Sequence, residues 1–367
     1  MYPDLHGRTA LITGAGRPTG IGFGIAKSLA ANGMNCILAD IPAPTGHQEE
    51  VENDSLRGCV AALRRKYGVR AWPLPLDLSA VDGPHCVERA VADIRRMAPE
   101  LHVLINNAGI MPPQSPLGEA DPDLWRTVME INLFGAFRMV RACLPLLATD
   151  GAVINIASRA GKRPAPGHSS YSVSKAGLIM LTKCLAVEYA HTGLRANAIC
   201  PGQVLTELNL RRFEREAAGQ DISCEERIRR MVTSIPAGKM GVPGDIGALA
   251  AFLASTASSF ITGQAVNICG GQLMELLPTT KGDEHEKDFQ PVRQPACGPH
   301  LRRPVAGSVA ESGAGPVLPG GPGRAQGHQD RLHQLSLASA GPGLHLVQKR
   351  IGGPLQRRIQ GGTHRLR

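Results

Sequence analysis

Short apolar runs alternate, over the first three quarters of the chain, with longer stretches in which apolar positions recur every three or four residues. The runs ALIT, NCILAD, AWPLPLDL, HVLINN, GAVINIAS, RANAIC and AVNIC have the length and near-continuous hydrophobicity of strands covered on both faces. Between them the period is helical, as in Ile21, Ile25, Leu29 and Ala30, and long helices are expected around 123 to 148 and 169 to 192. Strands alternating with helices predict an α/β fold, a doubly wound parallel sheet of about seven strands. Ligands of such sheets sit at the carboxyl ends of the strands. Gly14, Asp40, Asp77, Asn107, Ser158 and Pro201 all fall there.

The segment RTALITGAGRPTGIGFGIAKSLAANG reads as a buried strand, a glycine-rich turn and a helix. A helix start free of bulky side chains lets a pyrophosphate reach the backbone amides, and the helix dipole adds attraction. Eighteen residues past Gly22, Asp40 closes NCILAD, where a carboxylate can hydrogen-bond ribose hydroxyls and would repel a 2′-phosphate. The pattern therefore favours NAD. NADP stays open because Arg17, in the turn, is a base of the kind that can hold a 2′-phosphate.

Near the middle of the chain Ser158 ends GAVINIAS, Tyr171 follows thirteen residues later, and Lys175 comes four after that in YSVSK. A residue and its fourth successor share a helix face, so phenol and ammonium can act on one ligand. A free phenol titrates near ~10, and a nearby ammonium is expected to lower that value. Tyr171 could then exchange a proton at neutral pH, with the Ser158 hydroxyl meeting the reacting oxygen.

With these motifs the chain resembles the short-chain dehydrogenase/reductase family over residues 5 to about 277. The glycine segment is TGAGRPTGIG; Asp77 lies in LDLS, Asn106 to Gly109 form NNAG, Asn132 lies in INLFG, Val204 and Thr206 follow Pro201 and Gly202, and ITGQAVNICGG closes the match. The resemblance, strongest to members like the 3-oxoacyl carrier-protein reductases, implies interconversion of a small secondary alcohol and a ketone. Tyr171 would be the acid/base, Lys175 would bind the nicotinamide ribose, Ser158 would orient the substrate oxygen and Asn132 would hold a water. Gly14, Gly16, Arg17, Gly20, Ile21 and Gly22 would line the pyrophosphate turn, with Asp77 and Leu78 at the adenine and Asn107, Ala108 and Gly109 near the adenosine ribose. Pro201, Gly202, Val204 and Thr206 would lie on the nicotinamide side. Asn106 would be structural. Gly14 and Gly20 are separated by five residues where the family has three, which leaves the role of Gly16 ambiguous. The family also implies a homo-oligomer, a dimer or tetramer paired through the two long helices. The alternative is a dinucleotide-sensing or scaffold protein without chemistry; such proteins usually lose the tyrosine or the lysine, and both are present.

Charge divides the chain. Residues 1 to 288 carry 29 Lys and Arg against 29 Asp and Glu, residues 289 to 367 carry 11 against 2, and together these give the net +9. The expected domains are a catalytic body at 1–277 and a low-complexity basic tail at 278–367, too poor in core-forming residues to order itself. A basic tail can attract nucleic acid, but after Phe289 it has no aromatic residue for stacking on bases, so a solvated extension is favoured. The nine cysteines form no CxxC pair and no metal-ligand cluster, and neither a secretory signal nor a membrane span is evident. A cytoplasmic setting is expected. Arg212 or Arg229, on the amphipathic stretch after the PG turn, could meet an acidic substrate, but on helical spacing they read as solvated faces, while His168, Arg159, Arg163 and Met111 are candidates for the cleft wall.

Overall fold

The computed structural model describes residues 1–41, 55–79 and 85–274. All of them belong to the first of two units of the chain, Met1–Glu286. The expected basic tail from 278 onward lies outside the described residues.

Seven parallel strands form one sheet in the order β3-β2-β1-β4-β5-β6-β7. They are β1 (Thr9–Thr13), β2 (Asn35–Asp40), β3 (Ala71–Pro75), β4 (Leu101–Asn106), β5 (Leu147–Ile156), β6 (Arg195–Pro201) and β7 (Ala265–Ile268). Each expected apolar run supplies one strand. The third run stops early, at Pro75, on an edge strand, where prolines such as Pro73 cost no ladder bond to a second neighbour.

Successive residues of the central strands point to opposite faces, so the apolar runs feed two cores. Ile12, Leu38, Ile105 and Ile154 pack with α1 (Ile21–Ala31), α2 (Ser55–Tyr67) and α9 (Pro243–Ala254). Leu11, Ile37, Leu104 and Val153 pack on the other side with α3 (His85–Met97), α5 (Gly135–Cys143) and α6 (Ser169–Tyr189). Continuous strand hydrophobicity is the direct consequence of this two-sided burial. The strand order reverses between β1 and β4, and the crevice opened there is the ligand position of doubly wound sheets.

The helix expected over 123–148 is not continuous. It comprises α4 (Pro122–Met129), a π-helical turn at Glu130–Phe134 and α5, and it ends at Cys143 before a 3-10 turn containing Pro145. Proline cannot continue the helical ladder, and Leu147 already belongs to β5. The second long helix is α6, followed by a 3-10 turn at Ala190–Thr192. After β6 come α7 (Glu207–Ala218) and α8 (Cys224–Thr233). Among the described residues no helix is long and apolar enough to cross a membrane, and no cluster of His, Cys, Asp or Glu could hold a metal.

Candidate active site

The β1 strand runs into Gly14, whose φ of +64° suits glycine, and α1 begins at Ile21 with Gly20 as its N-cap. No side chain caps this helix and its first turn carries no acidic residue, so its leading amides remain open to an anion. A Cβ on Gly22 would run into the Gly14 carbonyl and lie 2.6 Å from Asn107 Nδ2. That contact explains why the turn and the helix start can lie so close. Asn107 Nδ2 donates to the Thr13 and Gly14 carbonyls, both at 2.9 Å, and Thr13 Oγ1 accepts the Asn107 and Ala108 amides at 3.0 and 3.1 Å. The NNAG segment thus braces the glycine turn from the neighbouring strand.

Asp40 Oδ2 accepts the Gly16 amide at 2.7 Å and Oδ1 accepts the Ile41 amide at 2.8 Å. The two extra residues of the turn are therefore folded so that Gly16 tethers the carboxylate, while Arg17 points into solvent. Asp77 Oδ1 accepts the Ser79 amide at 2.7 Å. Leu78 is buried against Gly135, and its carbonyl accepts from Arg138 at 2.7 Å. A helix start without a side-chain cap, beside a carboxylate at the end of β2, offers the donors a dinucleotide's pyrophosphate requires and the acceptor its ribose requires.

At the ends of β5 and β6 the other candidates converge. Ser158 accepts the Ala160 amide at 3.1 Å, and its hydroxyl is close enough to act on the Tyr171 phenol. Lys175, one turn along α6, is only 4% exposed; its Nζ lies 5.8 Å from the centre of the Tyr171 ring and donates to the Ile156 carbonyl at 2.9 Å. Asn132 sits in the π-helical turn, a feature frequent at functional sites. Its side chain accepts the Ile110 amide at 2.8 Å and donates to the Ile110 carbonyl at 2.9 Å and to Ser174 at 3.1 Å. Both amide hydrogens are thereby used, so any water it holds must be met by other atoms. Asn106 donates to Asn155, which donates to Thr182, in a buried chain between β4, β5 and α6.

The expected acidification of Tyr171 by Lys175 is corrected by this geometry. Burial pushes the phenol above its ordinary range; the Ser158 hydroxyl and then the Arg212 guanidinium oppose it. Burial also pushes Lys175 down, to about 8. A desolvated ammonium bonded to a backbone carbonyl is itself disfavoured, which limits what it can do for its neighbour.

Pro201 closes β6 and Gly202 packs against Cys269 so closely that a Cβ would lie 2.7 Å from the Cys269 Cβ. The Val204 side chain is buried in the core and its carbonyl accepts from Asn209 at 2.7 Å, so it can meet a ligand only through its backbone. Thr206 is the N-cap of α7, accepting the Asn209 amide at 3.3 Å. Arg229 is exposed and paired with Glu226, as expected of a solvated face, but Arg212 is not: it folds inward and donates to Gln203 at 2.7 Å. Helical spacing carried no signal for that, because the partner lies on the loop after β6. The bracing role of Ser174 was likewise missed, since only the fold brings it to Asn132.

A family described as Enoyl-(Acyl carrier protein) reductase matches residues 14–272. Oxidoreductase UcpA of Salmonella typhimurium is 36% identical over 277 residues, covering 74% of this chain and 96% of its own. D-beta-hydroxybutyrate dehydrogenase of Cupriavidus necator is 34% identical over 274 residues, covering 73% and 98%. The crystal structure of L-sorbose reductase from Gluconobacter frateurii, complexed with NADPH and L-sorbose, superposes with a TM-score of 0.67 at 26% identity, covering 75% of this chain and 100% of that one.

Proposed function

The chain belongs to the short-chain dehydrogenase/reductase family, and on that footing we propose that it interconverts a secondary alcohol and a ketone with a nicotinamide dinucleotide, NAD in preference to NADP. The observation that carries this reading is the convergence of Ser158, Tyr171 and Lys175 at the end of β5 and the start of α6, with the Lys175 Nζ 5.8 Å from the centre of the Tyr171 ring.

When bound, the dinucleotide supplies the acceptor or donor of the hydride. The proton falls to the chain's own residues. Ser158 hydrogen-bonds the reacting oxygen, and Tyr171 takes the hydroxyl proton in oxidation or returns it in reduction. Lys175 binds the nicotinamide ribose, and Asn132 fixes the Ile110 backbone and α6 around them. The turn Gly14, Gly16, Gly20, Ile21 and Gly22 holds the pyrophosphate, with Arg17 at its outer rim. Asp40 holds the adenosine ribose, Asp77 and Leu78 border the adenine, and Asn107, Ala108 and Gly109 line the floor. Pro201, Gly202, Val204 and Thr206 border the nicotinamide. Relatives named for D-beta-hydroxybutyrate and L-sorbose point to a small polar alcohol. Retention of Tyr171 and Lys175 argues against a role limited to binding.

Exposed Phe134, Phe137, Val173, Met180 and Val187 lie along α5, its preceding π turn and α6. So many bare apolar side chains on neighbouring elements favour pairing with a second copy, in a dimer or tetramer. The free cysteines among the described residues suit a reducing, cytoplasmic compartment. The test is to supply NAD, then NADP, with a panel of secondary alcohols and to follow the absorbance of the reduced nicotinamide. No turnover of any alcohol would overturn the reading.

A further inference from the structure

The two helices that follow the nicotinamide-side turn carry a cluster of buried charge that proton transfer does not use. Arg212 on α7 and Arg227 on α8 both face Glu216, and the three side chains are only 15%, 17% and 18% exposed. Arg227 binds Glu216 Oε2 at 2.7 Å. Arg212 Nε stands 3.4 Å from Oε1 without forming a hydrogen bond, so this buried N–H has no acceptor. The Arg212 guanidinium lies 4.7 Å from the Phe213 ring centre, and that of Arg227 5.3 Å.

Two guanidinia share one carboxylate, leaving one positive charge uncompensated in a desolvated place. Arg159, the residue after Ser158, adds another close enough to act on Arg212 and has no carboxylate partner among the described residues. Buried charge is disfavoured unless it is paired. A second observation falls at the same spot. His168, 7% exposed at the N-cap of α6 and three residues before Tyr171, has its Nδ1 buried without a hydrogen-bond partner. The fields of Arg212 and Glu216 act on that ring, and those of Arg159 and Tyr171 act on Arg212. Gln203, just after Pro201 and Gly202, holds Arg212 toward the reacting end of the cleft.

We infer that Arg212 and Arg159 bind a carboxylate on the substrate, so that the alcohol oxidised is a short hydroxy acid and the ketone reduced is the matching oxo acid. The inference rests on the dehydrogenase reading given above. A guanidinium presents a planar pair of donors that matches a carboxylate, and one incoming negative charge offsets the surplus on the wall. The carboxylate takes no part in the chemistry. The C–H bond of the carbinol carbon breaks with its electron pair going to oxidised NAD, the hydroxyl proton goes to Tyr171, and the carbon–oxygen bond becomes a carbonyl.

The test compares 3-hydroxybutyrate with methyl 3-hydroxybutyrate, and 2-hydroxybutyrate with its methyl ester, using the full chain and NAD. Each pair shares a skeleton and differs in one charge. One acid should exceed its ester in kcat/KM by roughly 10- to 100-fold, the worth of a charged hydrogen-bonded pair. That ratio should collapse toward one in Arg212→Gln and in Arg159→Gln. Arg159 lies outside the Glu216 clamp, so its variant carries the test should Arg212→Gln fail to fold. Esters turned over as well as both acids, or an acid-to-ester ratio untouched by either substitution, would overturn the inference while leaving the dehydrogenase reading intact. Should no alcohol of any kind be oxidised, that reading fails. Calorimetry with butyrate against butyramide, in the presence of NAD, then decides the carboxylate site alone. Selective butyrate binding lost in Arg212→Gln supports it, and equal or absent binding of the two refutes it.

Discussion

The Lys175 ammonium donates to the Ile156 carbonyl across 2.9 Å, joining the second turn of α6 to the last residue of β5 where almost no water reaches. The bond gives this charge a neutral partner rather than a carboxylate. Its consequences separate what stabilises the fold from what serves the reaction.

Replacing Lys175 by Met should abolish turnover yet stabilise the protein. The native pKa of about 8 lies below the ordinary 10.5, so the unfolded chain binds a proton that the native chain gives up between those values. Stability therefore rises with pH across that window, and below it the buried charge carries its full cost, about 3 kcal/mol less about 1 for the hydrogen bond that the variant loses. Urea unfolding near neutral pH should show Lys175→Met more stable by about 2 kcal/mol, with the advantage shrinking toward pH ~10. A destabilised variant would contradict this account.

Tyr171→Phe keeps the ring and removes the proton. Turnover in either direction should fall by about 10³-fold or more, while reduced nicotinamide still binds, as seen by its fluorescence. Activity within tenfold of the native protein would remove Tyr171 from its role.

Because burial holds the Tyr171 phenol above its usual range, kcat/KM for alcohol oxidation should climb with pH through neutrality and into the alkaline range. Ketone reduction, which needs the protonated form, should be flat near neutral pH. The Ser158 hydroxyl opposes the upward shift, so Ser158→Ala should displace the oxidation profile to higher pH and lower kcat by about 10²- to 10³-fold. A profile that falls in height without moving would assign Ser158 to substrate orientation alone.

Asp40 is fixed by the Gly16 and Ile41 amides at the edge of the turn, where a 2′-phosphate would meet its charge. Asp40→Ala should shift the ratio of kcat/KM for NAD over NADP by about tenfold toward NADP, a screened like-charge repulsion of about 1–2 kcal/mol. An unchanged ratio would reject Asp40 as the discriminating group.

Much of the sheet could be read from the chain because a strand buried on both faces must be apolar nearly throughout, as the central strands are, while the edge strands β3 and β7 are only partly buried. NCILAD became β2 with the same bounds. The helix over 123–148 was read too long, since its period continues through a π turn and stops at Pro145 for reasons of backbone geometry that a period does not carry. Ser158, Tyr171, Lys175 and Asp40 were legible because each sits at a strand end or at helical spacing from a partner. The inward turn of Arg212 was not, because on α7 it occupies a position that spacing alone assigns to solvent.

The sequence by itself determined the order of strands and helices, the glycine turn at the first helix and the serine, tyrosine and lysine that the proposed chemistry uses, since local period and turn composition dictate these. Only the tertiary structure decided which charges are desolvated and what they touch. It put Lys175 on a carbonyl, gave Asp40 the Gly16 amide, tied Asn132 to Ile110 and Ser174, and left Arg212 half-paired beside the cleft. The physical reason is that desolvation and hydrogen-bond satisfaction depend on neighbours brought from distant parts of the chain, and no local pattern records them.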